Sequence, residues 1–360
     1  MAKYKRYDYS QKLFIPVSLE DQLMPGTLEF AIHTLVETRM DMSVFDENYK
    51  NDKTGRSAYD PKVLLKVVLL GYSRGLMSSR KIERACCENV TFMAISCNQR
   101  PDHSTIASFV ASMKDEISPL FTDILLVCEE EKLLGGTFFA LDGCKLPSNA
   151  SKRWSGKISD IKRKREKIEQ KVKRLLSEQI EADKNDSDGL TELSNREKQI
   201  EKLQKQAERI EKWLKENDAK IGTTGKEIQS NITDNESAKM KTSHGTIQGY
   251  NGQTLVDKKH QVIVHAEAFG RGQDHDHVSP MLDGAKENVQ KIGKPTDYFK
   301  DKILTADTNY HSHRNLEKCQ QEELDAYIPD IYFRKRDPRF STQTRGQVKK
   351  EKKFVLEDFT

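Results

Sequence analysis

Twice in this chain a short apolar, β-prone run ends on an aspartate: Thr137-Phe138-Phe139-Ala140-Leu141-Asp142 and Lys302-Ile303-Leu304-Thr305-Ala306-Asp307. A carboxylate at the end of a buried strand is costly unless it is solvated, paired or bound to a cation. Each run therefore reads as a strand that delivers an acid to the edge of a core. The competing reading of the first is a plain turn aspartate before Gly143.

The stretch between them changes period. Leu193, Ile200, Leu203, Ala207, Ile210 and Leu214 follow a heptad seam, and Ile158, Ile161, Ile168, Val172, Leu175 and Ile180 form a looser stripe upstream. Residues 183–189 between the two stripes have turn chemistry. Residues 155–221 thus predict a long antiparallel helical hairpin, with arms of about 25 residues reaching roughly 35–40 Å. Its Lys/Glu-rich outer face reads as solvated, with contact to a partner or to DNA as the alternative. The hairpin also explains why 32% of the 360 residues are charged and 36% hydrophobic. The net charge of +4 permits a nucleic-acid partner without demanding one.

Residues 1–135 predict short helices. Asp60-Pro61 is an N-cap followed by proline at the first helical position, leading into Val63, Leu64, Val67, Val68 and Leu70 and ending near Gly71. Further helices start after Ser78-Ser79, near Asp102, and after Pro119. Such a unit suits helix-turn-helix-like DNA binding and suits an ordinary helical core equally.

After the hairpin, residues 222–332 return to strands. Residues 250–257 and 261–268 flank the polar turn Asp257-Lys258-Lys259-His260, a hairpin signal. A helix around Val278–Leu282 follows, then the strand ending on Asp307, a helix after Ser312, and a short strand over residues 326–331. The tail 333–360 is basic: from Arg334 to Lys353 it holds nine Lys/Arg against two acids. It reads as a phosphate contact or as a loose tail.

Several classes are excluded or disfavoured. No apolar run approaches the ~20 residues of a membrane span, and the N-terminus has no secretory h-region. None of the six cysteines forms a CxxC pair, so they read as buried free thiols in a reducing cytoplasm. The histidines at 275, 277, 311 and 313 read as loop residues rather than metal ligands.

Strand–Asp142, hairpin, helix, strand–Asp307, helix and strand is the element order of an RNase H-like α/β core. That core is here preceded by an all-α domain (1–135), begins with a first strand at 136–154, and is interrupted by the helical hairpin. Two carboxylates brought to one edge repel unless a divalent cation lies between them. Mg²⁺ favours carboxylate, water and phosphate oxygens, and such sites activate and stabilise the oxygens of a phosphodiester. Asp257 also ends a strand, but Lys258-Lys259 follow at once, and a turn role is the favoured reading. Asn251 and Gln253 face either the site or solvent.

Together these residues carry a family resemblance. Its markers are Tyr59-Asp60-Pro61-Lys62-Val63-Leu64-Leu65-Lys66 with Gly71-Tyr72-Ser73-Arg74-Gly75, then Arg100-Pro101-Asp102-His103-Ser104-Thr105-Ile106. Next come Leu141-Asp142-Gly143-Cys144-Lys145 and Gly249-Tyr250-Asn251-Gly252-Gln253 with Val256-Asp257. Last are Ala306-Asp307-Thr308-Asn309-Tyr310-His311-Ser312 and Ile328-Pro329-Asp330. In this order the chain resembles bacterial insertion-sequence transposases of the DDE type, with an InsH-like N-terminal helical domain.

The resemblance implies that Asp142 and Asp307 are catalytic acids holding Mg²⁺ or Mn²⁺. It implies double-stranded DNA, both transposon ends and target, as partner, a homo-oligomer, no membrane, and a cytoplasmic, nucleoid-associated protein. Lys145, Arg271, Arg334, Lys335 and Arg336 are candidate DNA contacts by charge and neighbourhood. The family's third acid is a Glu on a helix after the last core strand. Glu351, Glu357 and Asp358 follow Ile331, but none sits in an amphipathic pattern. The expectation is a C-terminally shortened copy with little or no cleavage, the alternative being a non-catalytic DNA-binding or dimerising remnant. A structural coiled-coil protein is a weaker third reading, since it leaves both strand–Asp runs unexplained.

Overall fold

The computed structural model describes residues 18–48, 57–185, 190–222, 225–243 and 245–340. The chain divides into two compact units, residues 1–133 with 291–293, and the remainder.

The first unit is helical: α1 (Leu28–Thr38), α2 (Pro61–Ser73), α3 (Ser79–Glu88), α4 (Val90–Ile95), α5 (His103–Ser112) and α6 (Ile117–Glu130). Side-chain caps fix where α2, α4 and α5 start. Asp60 accepts from the Lys62 amide, Asn89 from Thr91 and Phe92, and Asp102 from Ser104 and Thr105. The Ser104 hydroxyl bond, with the amides of this cap, draws the Asp102 carboxyl down to about 2. Val36, Phe45, Leu65, Val67, Leu70, Ile82, Ile95 and Ile106 form the core. Gly71 is where α2 meets α3, since a Cβ there would lie 2.8 Å from Ile82 Cγ1. The buried Lys66 ammonium is neutralised by Glu37 at 2.8 Å.

The second unit is built on a mixed sheet. Its elements are β1 (Phe138–Pro147), β2 (Ser155–Gly156), α7 (Ile158–Asn185), α8 (Leu190–Glu216), β3 (Ser230–Asn231), β4 (Ala238–Thr242), β5 (Gly245–Asp257), β6 (Ile263–Phe269), α9 (Val278–Lys291), β7 (Ile303–Ala306), α10 (His313–Gln321), β8 (Asp325–Tyr327) and α11 (Phe333–Arg336). The strand order is β4-β5-β1-β7-β8, with β6 also paired to β5. β5 runs antiparallel to β1, β4 and β6, whereas β7 is parallel to both β1 and β8.

Period-two burial along β1 puts Phe139 and Leu141 into a core with Leu255, Val264, Met281, Leu282, Ala285, Val289, Leu304 and Cys319. Helices α9 and α10 thereby cover one face of the sheet. β2 and β3 form a separate two-stranded ribbon beside α7. The first turn of α7 meets the last turns of α8 through Ile161, Ile210 and Trp213, joined by Ile232. Trp213 is 8% exposed and lies off the heptad positions read from sequence.

Several sequence expectations are revised. β1 does not stop at Asp142: it continues to Pro147, because its pairing with β5 runs on to Gly249. α6 begins at Ile117, so Pro119 lies in its first turn, where a missing N–H costs nothing. The last short strand covers Asp325–Tyr327 rather than residues 326–331. Of the six cysteines, Cys86 and Cys319 are buried; Cys87, Cys97 and Cys144 are exposed and Cys128 is partly so. Residues 186–189 of the expected turn, the side chain of Leu193 in the heptad seam, and the acids Glu351, Glu357 and Asp358 lie outside what the structure describes. Among the described residues no helix is long and apolar enough to cross a membrane.

Candidate active site

Parallel pairing of β1 with β7 matches Leu141 to Ala306. The next residue on each strand is an aspartate, so Asp142 and Asp307 emerge side by side. Both side chains are exposed. Asp142 Oδ1 accepts its neighbour's amide, Gly143 N, at 2.7 Å. Asp307 caps the 3-10 turn Thr308–Tyr310: its Oδ1 accepts Asn309 N at 2.8 Å and its Oδ2 accepts Asn309 Nδ2 at 3.1 Å. Neither carboxylate forms an ion pair among the described residues.

A buried polar cluster lies behind this pair. Asp274, on the loop between β6 and α9, accepts through Oδ1 from Asn251 Nδ2 at 2.6 Å, Gln253 Nε2 at 3.0 Å and Lys145 Nζ at 3.2 Å. Gln253 Oε1 accepts the Tyr310 hydroxyl. Burial, then the charges of Asp274, Asp142 and Asp307, push the Tyr310 phenol above its ordinary range. The same field therefore reaches Tyr310 from all three acids. Asn315 Nδ2 holds the Tyr310 and His275 carbonyls at 2.8 Å each, which locks the segment after Asp307 to the loop carrying Asp274.

This cluster explains Gly143. A Cβ there would lie 2.2 Å from Gln253 Nε2, an amide already fixed by Asn251 and Asp274. The glycine after Asp142 thus makes room for buried Gln253 and does not end the strand.

The candidate residues are distributed unevenly. Lys145 is held by Asp274 and by the Gly272 carbonyl at 2.9 Å. Arg271 is exposed in the loop after β6. Arg334, Lys335 and Arg336 lie on α11, with Arg334 over Phe340, Lys335 over Tyr332, and Arg336 paired to Asp330. Asp257 is buried and accepts Gly136 N at 2.7 Å, Lys259 N at 2.8 Å and Gly135 N at 3.0 Å. Asn251 and Gln253 are both buried, beneath the site rather than toward solvent. Asp274 and Tyr310 went unassigned in the sequence. The one signal for them was their position, each three residues or fewer from a loop histidine or a strand-end acid.

Two exposed, unneutralised carboxylates side by side offer hard oxygen donors, which fits a single divalent cation completing its shell with water. Among the described residues no group of three or more acidic, histidine or cysteine side chains gathers closely enough to enclose an ion.

Residues 17–112 match the family described as a transposase domain, DUF772. Residues 218–356 match the transposase DDE domain. The chain belongs to the DDE transposases. With the DUF772 domain preceding the DDE domain, it is one of the insertion-sequence type. Searches of the curated proteins and of the solved structures give no match.

Proposed function

We propose that this chain cuts and joins DNA strands at the ends of its insertion sequence through Asp142 and Asp307. The observation that carries the reading is the parallel register of Leu141 with Ala306, which sets the two aspartates side by side. The strand order β6-β5-β1-β7-β8, with antiparallel pairing on one side of β1 and parallel pairing on the other, supports an RNase H-like core. β1 precedes α7 and α8 yet pairs with β5 and β7 after them, which supports α7 and α8 as a helical hairpin inserted in that core.

Asp142 and Asp307 would hold Mg²⁺ or Mn²⁺; when bound, such an ion lowers the pKa of a bound water and offsets charge on phosphate oxygens. The chain's own residues do the rest. The Asn309 amide and side chain orient Asp307. The Asp274–Gln253–Tyr310 cluster keeps β5 and the Asp307 turn in register. Arg271, exposed beside the loop of Asp274, contacts DNA phosphate, as do Arg334, Lys335 and Arg336. The protein acts as a homo-oligomer on nucleoid DNA in the cytoplasm.

A second reading has its own support: the described residues bring two carboxylates to the site, not three. Loss of one member of a catalytic set commonly costs orders of magnitude in rate, so a DNA-binding role with weak or no cleavage is the alternative. Both are tested with the purified chain. Mg²⁺ or Mn²⁺ titration by calorimetry should give heat with the parent and none with Asp142→Asn/Asp307→Asn. Equal heats would remove the aspartate site. Nicking of element-end DNA that Asp142→Ala abolishes would decide for the enzyme over the binding remnant.

A further inference from the structure

Four cations of α8 line one flank of the helix. At about 100° per residue, Lys198, Lys202, Lys205 and Arg209 fall within a ~60° arc. Glu197, Glu201, Glu208 and Glu211 occupy the neighbouring ~80°. The core face, with Ile200 and Ile210, lies beyond the acids. On α8 the signs also intermix: Glu216 falls in the same arc, and Lys205–Glu201, Lys212–Glu216 and Lys215–Glu211 pair at i,i+4. From Lys198 to Arg209 the flank is basic and exposed.

That flank borders a groove of about 460 Å³, lined by Trp154, Lys198, Glu201, Lys202, Lys205, Gln206 and Arg209. α7 adds to it. Lys164 sits 4.1 Å over the Trp154 ring, and Lys167 and Lys171 repeat from it at spacings of three and four residues. Within the flank, Lys205 pairs with Glu201 and Arg209 reaches the Thr233 hydroxyl at 3.5 Å. Lys198 and Lys202 have no anionic partner among the described residues.

We propose that this flank of α8 is a docking surface for the phosphate backbone of duplex DNA. It rests on the transposase reading and adds a second DNA contact, carried by the helical insert rather than by the aspartate site. Lys198 to Arg209 spans about 16 Å of helix, along which B-DNA presents roughly five phosphates per strand. The side chains favour a nucleic acid over a protein. Lysine is depleted from protein interfaces, which rely on apolar and aromatic anchors, and this flank has one aromatic residue against four cations. Lysine and arginine spaced along a helix match the sequence-independent contacts that position a protein on DNA.

The test is anisotropy of a random 30-bp duplex with the full chain, in EDTA, over a salt series. Lys198→Gln/Lys202→Gln/Arg209→Gln keeps good helix formers and removes three charges. It should bind about tenfold more weakly or worse, with the log–log salt slope reduced by about 2.7. Lys162→Gln/Lys173→Gln/Lys215→Gln, with the same loss of charge away from the groove, should keep the parent slope. The charge-preserving Lys198→Arg/Lys202→Arg/Arg209→Lys should bind as the parent does, which separates charge from folding. A groove variant with the slope of the control overturns the proposal, and so does one that loses affinity for polyglutamate alone. If the parent itself fails to bind duplex, the proposed action on DNA falls with it; parent binding with an unaffected groove variant removes this proposal alone.

Discussion

The Tyr310 hydroxyl donates to Gln253 Oε1, tying the turn after Asp307 to the strand that pairs with Asp142. Both side chains are buried, with Gln253 at 1% and Tyr310 at 1% exposure. Tyr310→Phe keeps the ring and removes the donor, leaving the Gln253 carbonyl oxygen unpaired. Leaving such a group unsatisfied costs about 1–3 kcal/mol. Urea unfolding should show that loss in the midpoint with the slope unchanged. A loss well under 1 kcal/mol would mean that the bond contributes little.

Asp142 and Asp307 should make stability depend on divalent metal. A cation binding the folded state alone stabilises by ~2.7 kcal/mol at a hundred times its dissociation constant. For a unit of this size that raises the melting temperature by roughly 5–10 °C. Thermal scans with saturating Mg²⁺ or Mn²⁺ against EDTA measure it. Asp142→Asn/Asp307→Asn should lose the shift, and an equal shift in parent and variant would place the ion elsewhere.

Both strand–Asp runs were legible because a buried strand announces itself by an unbroken apolar run, and an aspartate interrupts it conspicuously. The turn at residues 257–260, the N-cap at Asp60 and a helix start near Asp102 were legible for similarly local reasons. What could not be read is who faces whom. Asn251 and Gln253 alternate with Gly252 along β5, and a polar residue in a strand looks the same whether it meets water or a buried carboxylate. Their partner Asp274 lies 21 residues from Gln253 and sits among histidines, so it resembled a loop. Gly143 next to Asp142 suggested a turn, because sequence does not show that Gln253 occupies the space a side chain would need. Trp213 escaped the heptad seam because it packs against Ile232, outside the two helices.

Thiol reactivity should divide the cysteines by burial. Burial pushes the Cys86 thiol up to about 12 and Cys319 up to about 11. The thiolate is the reacting form, so both should resist a disulfide reagent at pH 8 until the chain unfolds. Cys87, Cys97 and Cys144 are exposed and should react quickly. Rapid labelling of Cys86 in the native protein, mapped by mass spectrometry, would contradict the packing of α3.

Asp257 should matter for stability more than its place at a turn suggests. Its carboxylate is 1% exposed and accepts three backbone amides, from Gly135, Gly136 and Lys259. Asp257→Ala leaves those donors without their acceptor, and the cost should reach about 3–5 kcal/mol. Asp257→Asn retains an acceptor but turns an N–H₂ toward other donors, and should fall between. Denaturant midpoints for the pair rank them; an Ala variant as stable as the parent would show that water replaces the carboxylate freely.

His277 should make the fold sensitive to acid. Its ring stacks on Phe269 at 4.1 Å, and Nε2 is buried without a hydrogen-bond partner in the protein. Burial holds its pKa below the ordinary histidine value. Well above pH 6.5 the ring is neutral in both folded and unfolded chains and contributes no pH dependence. As pH falls below that value, the unfolded chain takes up a proton that the folded one does not, so stability declines until the folded pKa is passed. His33, also lowered by burial, acts in the same direction. His277→Gln should therefore show a shallower loss between pH 6.5 and 5.0, by up to about 1.4 kcal/mol per pH unit, with the His33 share remaining. Urea midpoints at pH 7.5, 6.5, 5.5 and 5.0 measure the slopes. Parallel slopes for parent and variant would show that the ring at 277 accepts its proton in the folded state as readily as in the unfolded chain.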